Sequence, residues 1–120
     1  MFNTPPPWNI TSVVDETASR SLDVEYQNAS GRTLIVTVSF LANTTDVTDD
    51  AIVYARINSV SGAIGARDQW LGGMGFSAAA VVGQALYSGT VMVPPGYFYN
   101  MKTSTVFSGT VTLKSWIEAK

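Results

Sequence analysis

The amino-acid sequence predicts an all-β fold, an antiparallel β-sandwich of the jelly-roll kind with seven or eight short strands. Three observations lead there. Apolar and polar residues alternate with a period of two in run after run, as strands do when one face meets a core and the other meets solvent. Clusters of Gly, Pro, Asn, Asp and Ser punctuate those runs at regular spacing. The stretch 86–103, LYSGTVMVPPGYFYNMKT, sets two alternating arms around Pro94-Pro95-Gly96. Proline presets the first corner of a type II turn, and glycine takes the positive φ of the second. We read this stretch as a central β-hairpin, since two prolines and consecutive aromatics disfavour a helix.

In chain order, residues 1–20 read as an arm and 21–120 as the sandwich domain. Pro5, Pro6 and Pro7 hold segment 3–12 extended, Trp8 is placed to dock on the domain or on a neighbouring subunit, and 11–18 makes an edge strand. In 21–27, Leu22, Val24 and Tyr26 face one way and Asp23, Glu25 and Gln27 the other. The turn formers Asn28-Ala29-Ser30-Gly31 lead into the longest strand, 33–41, where Leu34, Val36, Val38 and Phe40 share a face, and these two runs read as a second hairpin. An acidic loop, 43–50, precedes the strand 51–60, whose Val53, Ala55, Ile57 and Ser59 face inward.

Five glycines among residues 61–76 weaken helix and strand alike, so that segment reads as a long excursion anchored by Ile64, Trp70, Leu71 and Met74. Segment 77–84 leans towards strand on its valines. The last strand, 109–119, alternates Val111, Leu113, Ser115 and Ile117 with Thr110, Thr112, Lys114, Trp116 and Glu118.

Composition narrows the chemistry. Apolar residues make up 46 % of the 120 and charged residues only 13 %, about half the charged share of an ordinary soluble domain. A surface so poor in charge is covered by Ser, Thr and Asn or by other subunits, which predicts a homo-oligomer. A net charge of −2 with seven scattered basic residues disfavours nucleic acid. Cysteine and histidine are both absent, which removes disulfides, thiolate or imidazole metal sites, and Ser-His-Asp or Cys-His catalysis. No apolar run approaches the roughly 20 residues that cross a bilayer, and MFNTPPPWNITS does not resemble a secretory signal. The expectation is a protein made in the cytoplasm and kept there until assembly, with neither cofactor nor membrane insertion.

Asp46, Asp49 and Asp50 are oxygen ligands of the type calcium takes, but their spacing departs from an EF-hand loop, and a solvated loop is the favoured reading. No two of Asp15, Glu16, Asp23, Glu25, Asp68 and Glu118 are paired by the sequence for glycosidase chemistry. The Asn-x-Ser/Thr triplets at Asn9, Asn28 and Asn43 read as turns. Aromatic residues are the better clue to binding, because exposed rings stack on sugar CH faces. Most belong in a core or an interface; Trp70, set among glycines in a peripheral loop beside Arg67 and Asp68, is the candidate ligand contact. Tyr97, Tyr99, Met101 and Val111 are assigned to the core or to the subunit interface, together with Trp8.

Three stretches, YQNASGRTLIVTVSF at 26–40, VPPGYFYNM at 93–101 and LKSWIE at 113–118, together resemble the small C-terminal β-sandwich modules of bacteriophage and prophage tail fibres, tailspikes and related virion proteins. In those modules a strand follows an Asn-x-x-Gly-Arg turn, a later hairpin turns through Val-Pro-Pro-Gly, and a final strand carries Trp next to an acidic residue. The resemblance covers about 95 residues from Leu22 onward. It implies a homotrimer like tumour-necrosis-factor or C1q heads, bound to other virion proteins and either touching a host-surface glycan or protein or closing a fibre tip. Such modules share no catalytic residues, so none is transferred. The fibrous shaft of those proteins has no counterpart in this chain, which keeps open a tail-tip knob or a capsid-decorating protein. A stand-alone carbohydrate-binding lectin module is the expectation from another class.

Overall fold

A computed structural model describes residues 9–46, 48–62, 68–74 and 83–120, with the backbone alone at 68–70 and 74. The described residues form eight strands: β1 (Val13–Asp15), β2 (Glu25–Gln27), β3 (Leu34–Thr44), β4 (Asp50–Asn58), β5 (Asp68–Met74), β6 (Gly83–Val93), β7 (Phe98–Val106) and β8 (Thr110–Ala119). They make two four-stranded sheets, ordered β1-β8-β3-β6 and β2-β7-β4-β5. Every neighbouring pair is antiparallel. All connections between consecutive strands cross from one sheet to the other except β4 to β5, and this is the jelly-roll strand order. The predicted fold class is therefore the observed one.

The topology corrects both predicted hairpins. Segments 21–27 and 33–41 lie in different sheets, and so do the two arms of 86–103. The turn itself is as expected: Gly96 has φ 80° and the Tyr97 N–H donates to the Pro94 carbonyl at 3.1 Å. A type II turn twists against the strands of a two-residue hairpin and splays them. Here that splay carries the chain across the sandwich from β6 to β7. Asn28 locks the corner, its Nδ2 donating to the Val93 carbonyl at 2.9 Å and the Pro94 carbonyl at 3.2 Å.

Between the sheets lies one main core, in which Val36, Val38, Phe40, Val53, Met101 and Trp116 are fully buried. The alternation in β3 faces as predicted, with Leu34, Val36, Val38 and Phe40 inward; on β4 Val53 and Ala55 are buried and Ile57 partly so, while Ser59, expected inward, lies past the strand's end and is exposed. Two departures matter. Positive φ at Asp23 breaks the extended run near its start, so β2 begins only at Glu25, is three residues long, and Val24 is exposed. On β8, Ser39 pairs with Ser115 but Phe40 pairs with Leu113, so Lys114 is an extra residue in the ladder. That bulge reverses the side-chain phase, because a one-residue slip exchanges the faces of a strand. Val111 and Leu113 point inward before it, and Trp116 and Glu118 point inward after it. Strict alternation had put Trp116 and Glu118 on the opposite side from Leu113.

The segment read as a loop around Trp70 contains β5, whose backbone pairs with β4, placing Trp70 opposite Tyr54 and Asp68 opposite Arg56. Within segment 11–18, β1 pairs with β8, and the Thr11 and Ser12 N–H groups donate to the Lys120 carbonyl at 2.6 and 2.9 Å. Trp8, Ile64, Arg67 and most of the strand expected at 77–84 lie outside the described residues.

Candidate functional site

The best-built polar centre sits at the end of the sandwich where β1, β2 and the C-terminal half of β8 meet. Glu118, carried inward by the bulge, accepts four hydrogen bonds. Tyr99 Oη donates to Oε2 at 2.6 Å, Trp116 Nε1 to Oε2 at 2.9 Å, Arg20 Nε to Oε2 at 3.1 Å and Arg20 Nη2 to Oε1 at 3.2 Å. The Arg20 guanidinium lies 4.5 Å from the centre of the Tyr26 ring. Tyr26 in turn packs edge-on against Trp116, with ring centres 5.8 Å apart, and tilted against Tyr99 at 6.0 Å. Buried ions persist only when paired and fully hydrogen-bonded, and this carboxylate meets that condition.

The charge states follow from the same contacts. Burial opposes ionisation of Glu118, but the hydrogen bonds from Arg20, Tyr99 and Trp116 outweigh it and hold its carboxyl below the usual range. Burial, reinforced by the bond to Glu118, pushes the Tyr99 phenol well above its usual range.

Beside this cluster opens a cavity of about 300 Å³ lined by Arg20, Gln27, Asn28, Tyr99, Glu118 and Lys120, among others. Several groups that could recognise a ligand there are engaged within the protein. Asn28 Nδ2 is spent on three backbone carbonyls, Asn28 Oδ1 accepts from Ser30 N and Oγ, and Gln27 Nε2 donates to the Gly96 carbonyl. The centre is a structural clasp between the sheets.

At the other end, Asp49 clamps the β3–β4 turn to the β7–β8 turn. Its carboxylate accepts from the N–H groups of Thr45 at 2.9 Å, Asp46 at 3.0 Å and Ser108 at 3.2 Å. Burial raises the Asp49 carboxyl and these bonds lower it, the bonds prevailing. Among the described residues no three acidic side chains gather as metal ligands. The Asp49 oxygens are occupied by hydrogen bonds, and the acidic stretch works as a turn brace.

That brace holds Phe107 in an unusual state. Phe107 is 82 % exposed and has φ 56° at the tip of the β7–β8 turn, which the Gly109 N–H closes on the Val106 carbonyl at 3.2 Å. A bulky residue pays about 1–2 kcal/mol in the left-handed region. Phe107→Gly is expected to raise stability by about 1 kcal/mol, or about 4 °C in Tm. A melting curve that moves down would contradict the strain reading.

The sequence candidates disperse. Tyr99 and Met101, allowed either core or interface, take the core at 1 % and 0 % exposure, so neither has surface left for a subunit contact. Val111 packs partly buried against the same core, while Tyr97 is exposed at the corner turn. Trp70 and Asp68 stand on β5 in register with β4 and not in a peripheral loop. The Glu118 cluster was missed, and the one sequence signal that could have found it is a glutamate beside a tryptophan in a strand otherwise apolar on one side.

The fold and this clasp define a jelly-roll sandwich whose buried charges serve architecture. No family model, no curated protein and no solved structure matches the chain.

Proposed function

We propose that the chain is a non-enzymatic structural protein of a bacteriophage virion, a fibre tip, knob or receptor-binding head of the tail that assembles as a trimer. The observation that carries this reading is spatial. The three stretches that resemble phage tail modules are far apart in sequence, yet they meet at one place. Tyr26 and Asn28 from the first, Val93, Pro94 and Tyr99 from the second, and Trp116 and Glu118 from the third all contribute to the clasp or its corner. That meeting supports reading the three stretches as one unit of the fold.

The non-enzymatic part is supported by chemistry. The sequence holds no histidine or cysteine, and the carboxylates of Glu118 and Asp49 are saturated with hydrogen bonds that keep them charged and engaged. The molecule also has two distinct ends: Asn9 and Lys120 lie at the clasp, while Phe107 and the Asp49 brace lie at the other. An arm at the first end would leave the second facing outward, towards a host surface. Gold-labelled antibody to this chain on purified particles is expected to mark tail tips. Label on the capsid shell would favour a decorating protein, and mass spectra of particles lacking the chain would end the proposal.

A lectin reading rests on a separate feature. Tyr54, Phe98, Arg56, Asn100 and Lys102 take outward positions on the β2-β7-β4-β5 sheet, and Asn100 Oδ1 is buried without a hydrogen-bond partner. Rings flanked by amide and cationic groups suit a sugar ring. Binding to one glycan class on an array, lost in Tyr54→Ala, would support it; a silent array would count against it.

A further inference from the structure

We infer that the outer face of the β1-β8-β3-β6 sheet is the surface through which copies of this chain assemble, an inference that rests on the oligomeric part of the proposed function. The two outer faces differ in kind. On the β2-β7-β4-β5 side, the outward ladder positions include Glu25, Asp50, Arg56 and Lys102. On the β1-β8-β3-β6 side, β3 presents Ile35, Thr37, Ser39, Leu41 and Asn43, and β6 presents Gln84, Leu86, Ser88, Thr90 and Met92 opposite them. Neither row holds a charge.

Three properties make a second copy the fitting occupant. The first is apolar surface that is exposed among the described residues. Leu86 and Met92 are each 66 % exposed and Val13 65 %, while Leu86 pairs with Leu41 and Met92 with Ile35, so the apolar side chains are contiguous across strands. The second is that the polar positions satisfy one another. Thr37 and Thr90 hydroxyls bond at 2.9 Å, and Ser39 Oγ donates to Ser88 Oγ at 3.3 Å. Hydroxyls paired within the sheet lose little when water leaves, which lowers the cost of covering the face. The third is charge. The only charged residues at outward positions of these four strands are Asp15 on β1 and Lys114 at the β8 bulge, of opposite sign. Identical copies meeting here carry no like-charge penalty, and around a closed ring of three each can offer its lysine to the next copy's aspartate.

Size agrees. Four strands roughly 4.8 Å apart, the longest of 11 residues at roughly 3.3 Å each, give a face on the order of 600 Å² in projection. With side-chain relief added, that is the scale of the roughly 800 Å² a chain commits to a standard interface, here divided between the two neighbours of a trimer.

The test is light scattering with size exclusion on the full chain, on Leu86→Glu/Met92→Glu, and on Val106→Glu, which is exposed on the other sheet. The wild type and V106E are expected to run at about three times the 12.8 kDa chain mass. L86E/M92E is expected at the monomer mass, with unchanged circular dichroism and at least 100-fold weaker association. Should the double variant misfold, peroxide oxidation of Met92 in the wild type gives a second readout, slowing at least tenfold as the protein is concentrated into the assembled range. An assembly indifferent to L86E/M92E, or Met92 oxidised equally at all concentrations, overturns this surface. A monomeric wild type overturns it too, whereas the chain's presence in purified particles decides the virion reading independently of either result.

Discussion

Glu118→Leu is expected to lower the melting temperature by about 12 °C. The leucine fills a similar volume but strands three donor groups, the Arg20 guanidinium, Tyr99 Oη and Trp116 Nε1, in a buried site. Removing one partner of a buried ion pair costs about 3–5 kcal/mol. Arg20 keeps 22 % of its side chain in solvent, so the lower end, about 3 kcal/mol, is the fitting figure, and each kcal/mol moves Tm by about 4 °C in a domain of this size. Glu118→Gln keeps an acceptor and is expected to lose about half as much. Thermal unfolding followed by circular dichroism measures both, and a loss below about 1 kcal/mol for the leucine variant would show that the clasp is ornamental.

The same site sets two limbs of the pH profile. The Glu118 carboxyl is lowered in the folded state, so the unfolded chain binds its proton more readily, and the stability it contributes is present above the unfolded value of about 4.3 and is lost as pH falls below it. Tyr99 works in the opposite sense. Its phenol is raised in the folded state, so its contribution is complete below the ordinary value of 10.0 and is lost as pH climbs past it. Tm measured from pH 2 to 11 is expected to show a plateau with an acid limb that flattens in Glu118→Gln. An unchanged acid limb in that variant would assign acid unfolding to other carboxylates, such as Asp23 and Asp49.

The second large effect is expected at Gly109. A Cβ placed there would lie 1.9 Å from the Asp50 carbonyl oxygen and 2.7 Å from its carbon. Both are backbone atoms at the start of β4, and the neighbouring Asp49 holds that turn against Ser108. No flexible side chain is available to give way, so Gly109→Ala must part the two turns. A loss of about 3 kcal/mol follows, at the upper end of ordinary overpacking costs, again about 12 °C in Tm. Gly31→Ala makes a useful contrast, because an added Cβ there meets nothing within 4 Å and only the positive φ of 76° resists it. Equal losses at the two glycines would mean that backbone conformation, and not the close approach, governs Gly109.

What the sequence determined by itself was the local grammar. Period-two runs with one apolar side become strands because only that spacing puts Val36, Val38 and Phe40 on one face, and Pro95-Gly96 becomes a type II turn because the φ preferences of those residues permit little else. The partners were decided by tertiary structure. Whether β6 and β7 share a sheet depends on what lies across the turn, and Asn28, more than 60 residues earlier, supplies the bonds that hold the corner open. The bulge at Lys114 is likewise invisible along the strand, since an extra residue in a ladder exists only relative to β3. It alone turns Glu118 inward to Arg20 and Tyr99, and so makes the clasp from residues whose alternation pointed elsewhere. Periodicity is a property of one segment, and pairing is a property of two, so a single chain read in order shows the first and the folded molecule shows the second.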